Sequence, residues 1–153
     1  MTHFLGLVPA KSELCWVLLE ADDSQGLQVK ASKKVMIPSF GNRERELAWV
    51  YTYVQETFEN FEVTSICVVQ GSLSQNGTES VLFRAQVEGV VLASLASLKF
   101  EVTSAKKRVI ATRLGVKKGA DISMIPLLME LREHHSMPKY LDEAMAAALM
   151  ANV

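Results

Sequence analysis

Cysteine is scarce in this chain: Cys15 and Cys67 are the only two in 153 residues. Each lies inside an apolar run that reads as a strand, so they are expected to be reduced core thiols of a cytoplasmic protein, not a disulfide framework or a metal clip. Histidine is nearly as rare. His3, His134 and His135 lack the mutual spacing of a ligand set and read as surface or helix-end residues. Neither charge sign is in excess. A formal net charge of -1 excludes a protein that coats nucleic acid over its whole surface, so any nucleic-acid surface must be local. No uninterrupted apolar run approaches the ~18 residues a membrane span needs, and no basic segment, apolar core and cleavage site open the chain. No membrane association is therefore expected. Repeats, linkers, a Ser/His/Asp arrangement and a glycine-rich phosphate loop are all missing, because Gly71 to Gly77 is too loosely spaced for such a loop.

The hydrophobic fraction of 49% and charged fraction of 22% are those of an ordinary globular chain, long enough to form one core over residues 1–153. Alternating apolar runs and turns predict three strands: Thr2 to Val8, Leu14 to Glu20 and Leu27 to Ile37. The second is apolar on both faces, with Trp16 and Leu18 opposite Cys15, Val17 and Leu19, which suits an inner strand. The third alternates and ends at Pro38, which suits an edge. From Asn42, a candidate N-cap, Leu47, Val50, Tyr51, Val54 and Phe58 follow helical spacing, with Glu44 and Glu46 in the first turn. Val63 to Val69 reads as a covered parallel strand, and after a polar loop holding Ser72, Ser74, Gln75 and Asn76 a helix runs from Thr78 to about Leu98. Its Val87, Val90, Val91, Ala93 and Ala96 side is expected to be buried. Phe100 to Val102 would make a short fifth strand, with Ser104 capping a helix over Ala105 to Arg113. Helices over Ser123 to His134 and Lys139 to Met150 complete the chain. This order predicts an α/β fold with a mixed five-stranded sheet flanked by helices, as in ribonuclease H-like proteins.

The residues narrow the expectation. Phe4-Leu5-Gly6-Leu7-Val8-Pro9-Ala10 resembles the opening strand of RuvC-type Holliday-junction resolvases, in which an apolar pair, Gly and an apolar residue precede a catalytic Asp. Val8 takes the Asp position. Val68-Val69-Gln70 resembles the fourth strand, where Val69 takes the place of the catalytic Glu. Arg84 to Ala93 is similar to the following helix, and Lys106-Lys107-Arg108 with Gly115-Val116-Lys117-Lys118 to the lysine-bearing segment. Asp142 to Ala148 resembles the last helix, whose two Asp positions fall on Tyr140 and Glu143. The resemblance spans nearly the whole chain and implies a RuvC-like, ribonuclease H-like fold.

RuvC-like hydrolysis uses two divalent ions held by clustered carboxylates, and a valine cannot ligate Mg²⁺. With Val8, Val69 and Tyr140 at three of the four positions, the resemblance implies a pseudo-nuclease with no catalytic residue, metal or cofactor, and with the two valines in the core. Glu143 and Asp142 are also explained as first-turn carboxylates of a helix. What remains is binding. Lys106, Lys107, Arg108, Arg113, Lys117 and Lys118 form a basic segment without an acid, suited to phosphates of nucleic acid, DNA and branched DNA included, or equally a solvated helix and turn. A homodimeric scaffold is the second expectation, because RuvC-type resolvases are dimers and Trp49, Tyr53, Phe83 and several C-terminal Met residues could line an interface. The enzyme alternative is a displaced carboxylate site built from Asp142, Glu143 and Glu20 or Glu88.

Overall fold

A computed structural model describes residues 1–71, 77–117 and 119–153. The residues expected in the loop, Ser72, Ser74, Gln75 and Asn76, and also Lys118, lie outside them. Strands β1 (Thr2–Pro9), β2 (Glu13–Asp22) and β3 (Gly26–Met36) pair antiparallel; after α1 (Arg43–Phe58), β4 (Ser65–Gln70) pairs parallel with β1. Helix α2 (Thr78–Ser97) leads to β5 (Val102–Lys106), parallel to β4, giving the sheet order β3-β2-β1-β4-β5. The chain continues as α3 (Lys107–Arg113), a 3-10 turn at Ile122–Met124, α4 (Pro126–His135), a second turn at Lys139–Leu141 and α5 (Asp142–Ala151). The mixed five-stranded sheet expected from the residues is present, with β2 inside it and β3 at its edge.

Period-2 alternation divides the core into two. Leu5, Leu7, Leu14, Trp16, Ile66 and Val68 pack with Val50, Val54 and Phe58 of α1 and Val87, Val91 and Leu95 of α2. The other face carries Val8, Cys15, Val17, Cys67 and Val69 against α5 and its neighbours. Asn42 caps α1, its Oδ1 accepting from the Arg45 N–H at 3.0 Å, as its position after a turn requires. Alanine-rich α5 is pressed onto the centre of the sheet, and Gly6 makes this possible. A Cβ built at Gly6 would sit 2.1 Å from the Ala144 carbonyl oxygen and 2.3 Å from the Ala148 nitrogen.

Three expectations need correction. The fifth strand is Val102–Lys106, so Ser104 lies within a strand and does not cap α3. Thr103-Ser104-Ala105 carries little strand signal of its own; parallel pairing from Ile66↔Val102 to Gln70↔Lys106 decides the matter. Helix α2 buries Val87, Val91, Ser94 and Leu95 while Ala93 and Ala96 are exposed. Its rotation is fixed by polar contacts with α1: the Ser94 hydroxyl donates to the Tyr51 carbonyl at 3.0 Å, and Gln55 Nε2 donates to the Ser94 carbonyl at 2.8 Å. By length and composition α2 is also apolar enough to cross a membrane, although it packs on the sheet here. Each C-terminal helix opens with a separate 3-10 turn, and Pro126 starts α4 proper at a position where its missing N–H costs nothing. The aromatics that could line an interface are half-buried and make contacts within the chain. Trp16 Nε1 donates to the Tyr53 hydroxyl at 3.0 Å, Trp49 stacks on Tyr53, and the Arg43 guanidinium lies 4.5 Å over Phe83. The Met residues divide, with Met145 and Met150 buried and Met124 and Met129 exposed.

Helix α4 covers the outer edge of the sheet through one polar contact. The Val29 N–H, next to a register shift in β3, donates to His135 Nε2 at 3.3 Å. Desolvation, and then neighbouring His134, hold the His135 imidazole below its ordinary pKa of 6.5, which favours the neutral, accepting form. Because the folded state takes the proton less readily than the unfolded state, this contact stabilises above 6.5 and its contribution is lost as pH falls through the lower folded value. Urea unfolding at about pH 7.5 and about pH 5.5 is expected to show a loss of stability on acidification that is smaller in His135→Gln. An equal loss in both proteins would remove this role from His135.

Candidate nucleic-acid interface

The C-terminal ends of β1, β4 and β5 lie side by side, and their inward residues are apolar. Val8 is 7% exposed and Val69 1% exposed, both in one cluster with Ala105, Ile110, Ala144 and Met145. Val69 is paired in register with Ala105, and Val8 with Cys15. Glu143 and Asp142, the acids that open α5, are held by basic side chains. Glu143 Oε1 meets Lys107 Nζ at 2.7 Å, and Asp142 Oδ2 meets Arg132 Nη1 at 2.7 Å. Tyr140 is exposed, with Lys34 Nζ 5.0 Å above its ring. Burial pushes the Asp142 carboxyl above the usual range, against the pull of Arg132, and its Oδ1 has no partner among the described residues.

The donor set does not fit a two-metal centre. Two of the four positions offer only hydrocarbon, one a phenol on the surface, and the fourth a carboxylate already matched by an ammonium group. Among the described residues no three His, Cys, Asp or Glu side chains are grouped to hold an ion. The displaced carboxylate set is likewise not assembled. Glu20 accepts from His3 at 2.9 Å and pairs with Lys30 at 3.5 Å. That pairing is at the start of β1, about 17 Å from Val8 at about 3.4 Å per residue. Glu88 is on α2, where it accepts the Gly71 N–H at 2.6 Å. Nor is there an activated thiol: burial raises Cys67 to about 11, and burial followed by the Glu13 charge raises Cys15.

The basic residues do come together on a surface. Lys106 ends β5 and is exposed; Lys107 and Arg108 form the first turn of α3, Arg113 its last, and Lys117 follows on the next loop. Seven-residue α3 can place its charges outward because Ile110 and Ala111 bury its other side. Among the described residues, Lys106, Arg108, Arg113 and Lys117 have no acid within ion-pair distance, whereas Lys107 is taken by Glu143. Between α3, the Ile122–Met124 turn and the start of α5 lies a cavity of about 520 Å³, lined by Lys107, Arg108, Asp121, Lys139 and Glu143 among others. A groove of about 570 Å³ follows α3 on its Val109, Thr112 and Arg113 side. Lys139 was not legible as part of this surface. It stands some thirty residues along the chain from Arg108, and only the packing of α5 beside α3 brings the two to one cavity.

No family model matches the chain, and no curated protein matches it in sequence. Solved structures do. The Thermus thermophilus RuvC structure superposes with a TM-score of 0.78 at 15% identity, covering 97% of this chain and 92% of that one. T. thermophilus RuvC in complex with a Holliday junction substrate gives a TM-score of 0.80 at 14% identity, over the same shares. The yeast mitochondrial Holliday junction resolvase Ydc2 gives 0.67 at 10% identity, covering 96% of this chain and 74% of that one. The chain therefore has the RuvC-like, ribonuclease H-like fold that its residues resemble.

Proposed function

We propose that this chain is a catalytically inactive RuvC-like pseudo-nuclease that binds nucleic acid through the basic segment from Lys106 to Lys118. One observation carries the reading: at the end of the sheet where the RuvC resemblance places the catalytic acids, two positions are buried valines and the remaining carboxylates are paired with Lys107 and Arg132. Lysine and arginine here do by ion pairing what divalent ions do for clustered acids, which is to relieve their mutual repulsion. Beside them, cations on β5, α3 and the following loop with no acid partner among the described residues face solvent, the arrangement that displaces counterions from a phosphate backbone without reading bases. A resolvase of the same fold in complex with a Holliday junction makes DNA, branched DNA included, the ligand to test first.

The double change Lys106→Glu with Lys117→Glu is expected to weaken binding across unrelated sequences. It should also reduce the slope of log affinity against log salt by about two, one for each phosphate that is no longer neutralised. Fluorescence anisotropy at several salt concentrations measures both, and an unchanged slope would reject this surface.

A second reading, a dimeric scaffold without nucleic-acid binding, is favoured by the outward face of α2. Leu82, Ala85, Gly89, Ala93 and Ala96 are exposed there with no charged residue among them. Sedimentation across a wide concentration range distinguishes the readings: a scaffold is a dimer with no salt-dependent DNA binding.

A further inference from the structure

We infer that copies of this chain associate head to tail, the groove along α3 of one copy receiving the acidic loop between α1 and β4 of the next. The inference does not require the basic segment to bind nucleic acid. The groove, of about 570 Å³, is lined by Val109, Ala111, Thr112 and Ala120 among others and rimmed by Arg108, Arg113 and Lys117. No carboxylate lines it, and Val109 is 41% exposed there. The opposite end of the sheet carries Glu56 in the last turn of α1, Glu59 at its C-cap, Glu62 in the loop and Glu101 directly before β5, all exposed. Because Val102 pairs with Ile66, Glu101 lies beside the start of β4, where the loop enters the sheet. Lys99 and the Met1 amino group are the cations beside these acids, and they are fewer.

Neither set of charges is neutralised within one copy. Among the described residues, Arg108, Arg113 and Lys117 have no acid within ion-pair distance, and Glu56, Glu59, Glu62 and Glu101 have no base. The six residues of β4 hold the two ends about 20 Å apart, beyond the screening length of about 8 Å at physiological salt. The acidic loop is also fixed in place. Phe61 sets its ring edge-on to Trp16 at 6.0 Å and to Phe58 at 5.3 Å, and the Thr64 N–H donates to the His3 carbonyl at 2.8 Å. Glu59 and Glu62 are therefore presented with little ordering cost to the backbone on binding. A second copy is the occupant that these charges select. A net charge of -1 leaves little long-range repulsion between copies, and opposite charges at opposite ends orient them end to end. Such a contact uses a different surface on each partner, so it repeats along a row of copies and does not close as a two-fold dimer does.

The test is sedimentation velocity of the full chain over a wide concentration range at about 0.1 M and about 1 M salt, between which the Debye length falls from about 10 Å to about 3 Å. At low salt the average mass is expected to climb with concentration past that of a dimer, and at high salt to return to the monomer. Arg113→Gln with Lys117→Gln removes charge from the groove, and Glu59→Gln with Glu62→Gln removes it from the loop. All four positions are exposed, so the fold should persist in both proteins, which circular dichroism checks. Each double variant alone should self-associate about tenfold more weakly, having lost two exposed ion pairs. Mixed, the two should recover pairing but stop at one-to-one, because a single intact groove then meets a single intact loop. A mixture that does not pair, or a dimer that neither salt nor either variant changes, would overturn the inference. A chain that stays monomeric at every concentration while binding DNA in a salt-sensitive way would overturn it too, and leave the proposed function standing.

Discussion

Gly6→Ala is expected to lower the free energy of unfolding by about 3 kcal/mol or more, at the upper end of what overpacking costs. The added Cβ would meet the Ala144 carbonyl oxygen at 2.1 Å, the Ala148 nitrogen at 2.3 Å and the Ala147 Cβ at 2.9 Å. Two of these are backbone atoms of α5, which cannot turn aside as the end of a side chain can. The whole helix would have to lift from β1, and with it the packing of Ala144, Met145 and Ala148 against Val8, Cys67 and Val69. Small domains are stable by only about 5–15 kcal/mol, so such a loss is a large part of the total. Gly89→Ala is the matched control. Its Cβ would meet nothing within 4 Å, and alanine in a helix interior is favoured over glycine by up to about 1 kcal/mol. Urea denaturation of both variants therefore should move in opposite directions, and a Gly6→Ala protein as stable as the parent would mean that α5 is not seated on Gly6.

Val69→Glu is expected to destabilise by about 4 kcal/mol at neutral pH, from a carboxyl pKa raised by about 3 units at about 1.4 kcal/mol each. Val69 is 1% exposed with its side chain packed among hydrocarbon neighbours, while Arg84 Nη2 meets its backbone carbonyl at 3.5 Å. The sign with pH is diagnostic. Because the folded-state pKa of the new acid would lie above the unfolded one, the loss should grow as pH rises through that interval and shrink below about pH 4.3, where both states are protonated. A restored metal site would behave differently, with Mg²⁺ recovering the lost stability as the logarithm of its concentration above the dissociation constant. Recovery by Mg²⁺, or no loss at all, would show that this end of the sheet still tolerates a nuclease carboxylate.

Much of the fold was readable because its strands are strongly patterned. The alternation in β3, the two-sided apolar runs in β2 and β4, and the Asn42 cap of α1 each carry a local cause for their structure, and the order of elements gave the mixed sheet. Local pattern does not locate β5, because its strand character comes from pairing with β4, which no local window contains. The rotation of α2 escapes the local pattern for a similar reason: Ser94, a polar residue, is buried by bonds to Tyr51 and Gln55 on another helix. At the candidate interface, the lysines and arginines adjacent in the chain could be seen as a group. Their partners could not. That Glu143 holds Lys107, that Arg132 holds Asp142, and that Lys139 faces the same cavity as Arg108 all depend on helices α3, α4 and α5 converging at one end of the sheet. Gly6 is legible as part of a family-like strand, while its steric role emerges only with α5 packed over it.

The most direct measurement is incubation of the purified chain with a four-way junction, a duplex and a single strand, with and without Mg²⁺, at two salt concentrations, reading binding and cleavage together. A pseudo-nuclease with a DNA surface gives binding that weakens steeply with salt and no cleavage under any condition. Mg²⁺-dependent cleavage, lost in Glu143→Gln, would contradict it and show that the paired carboxylates still serve a metal.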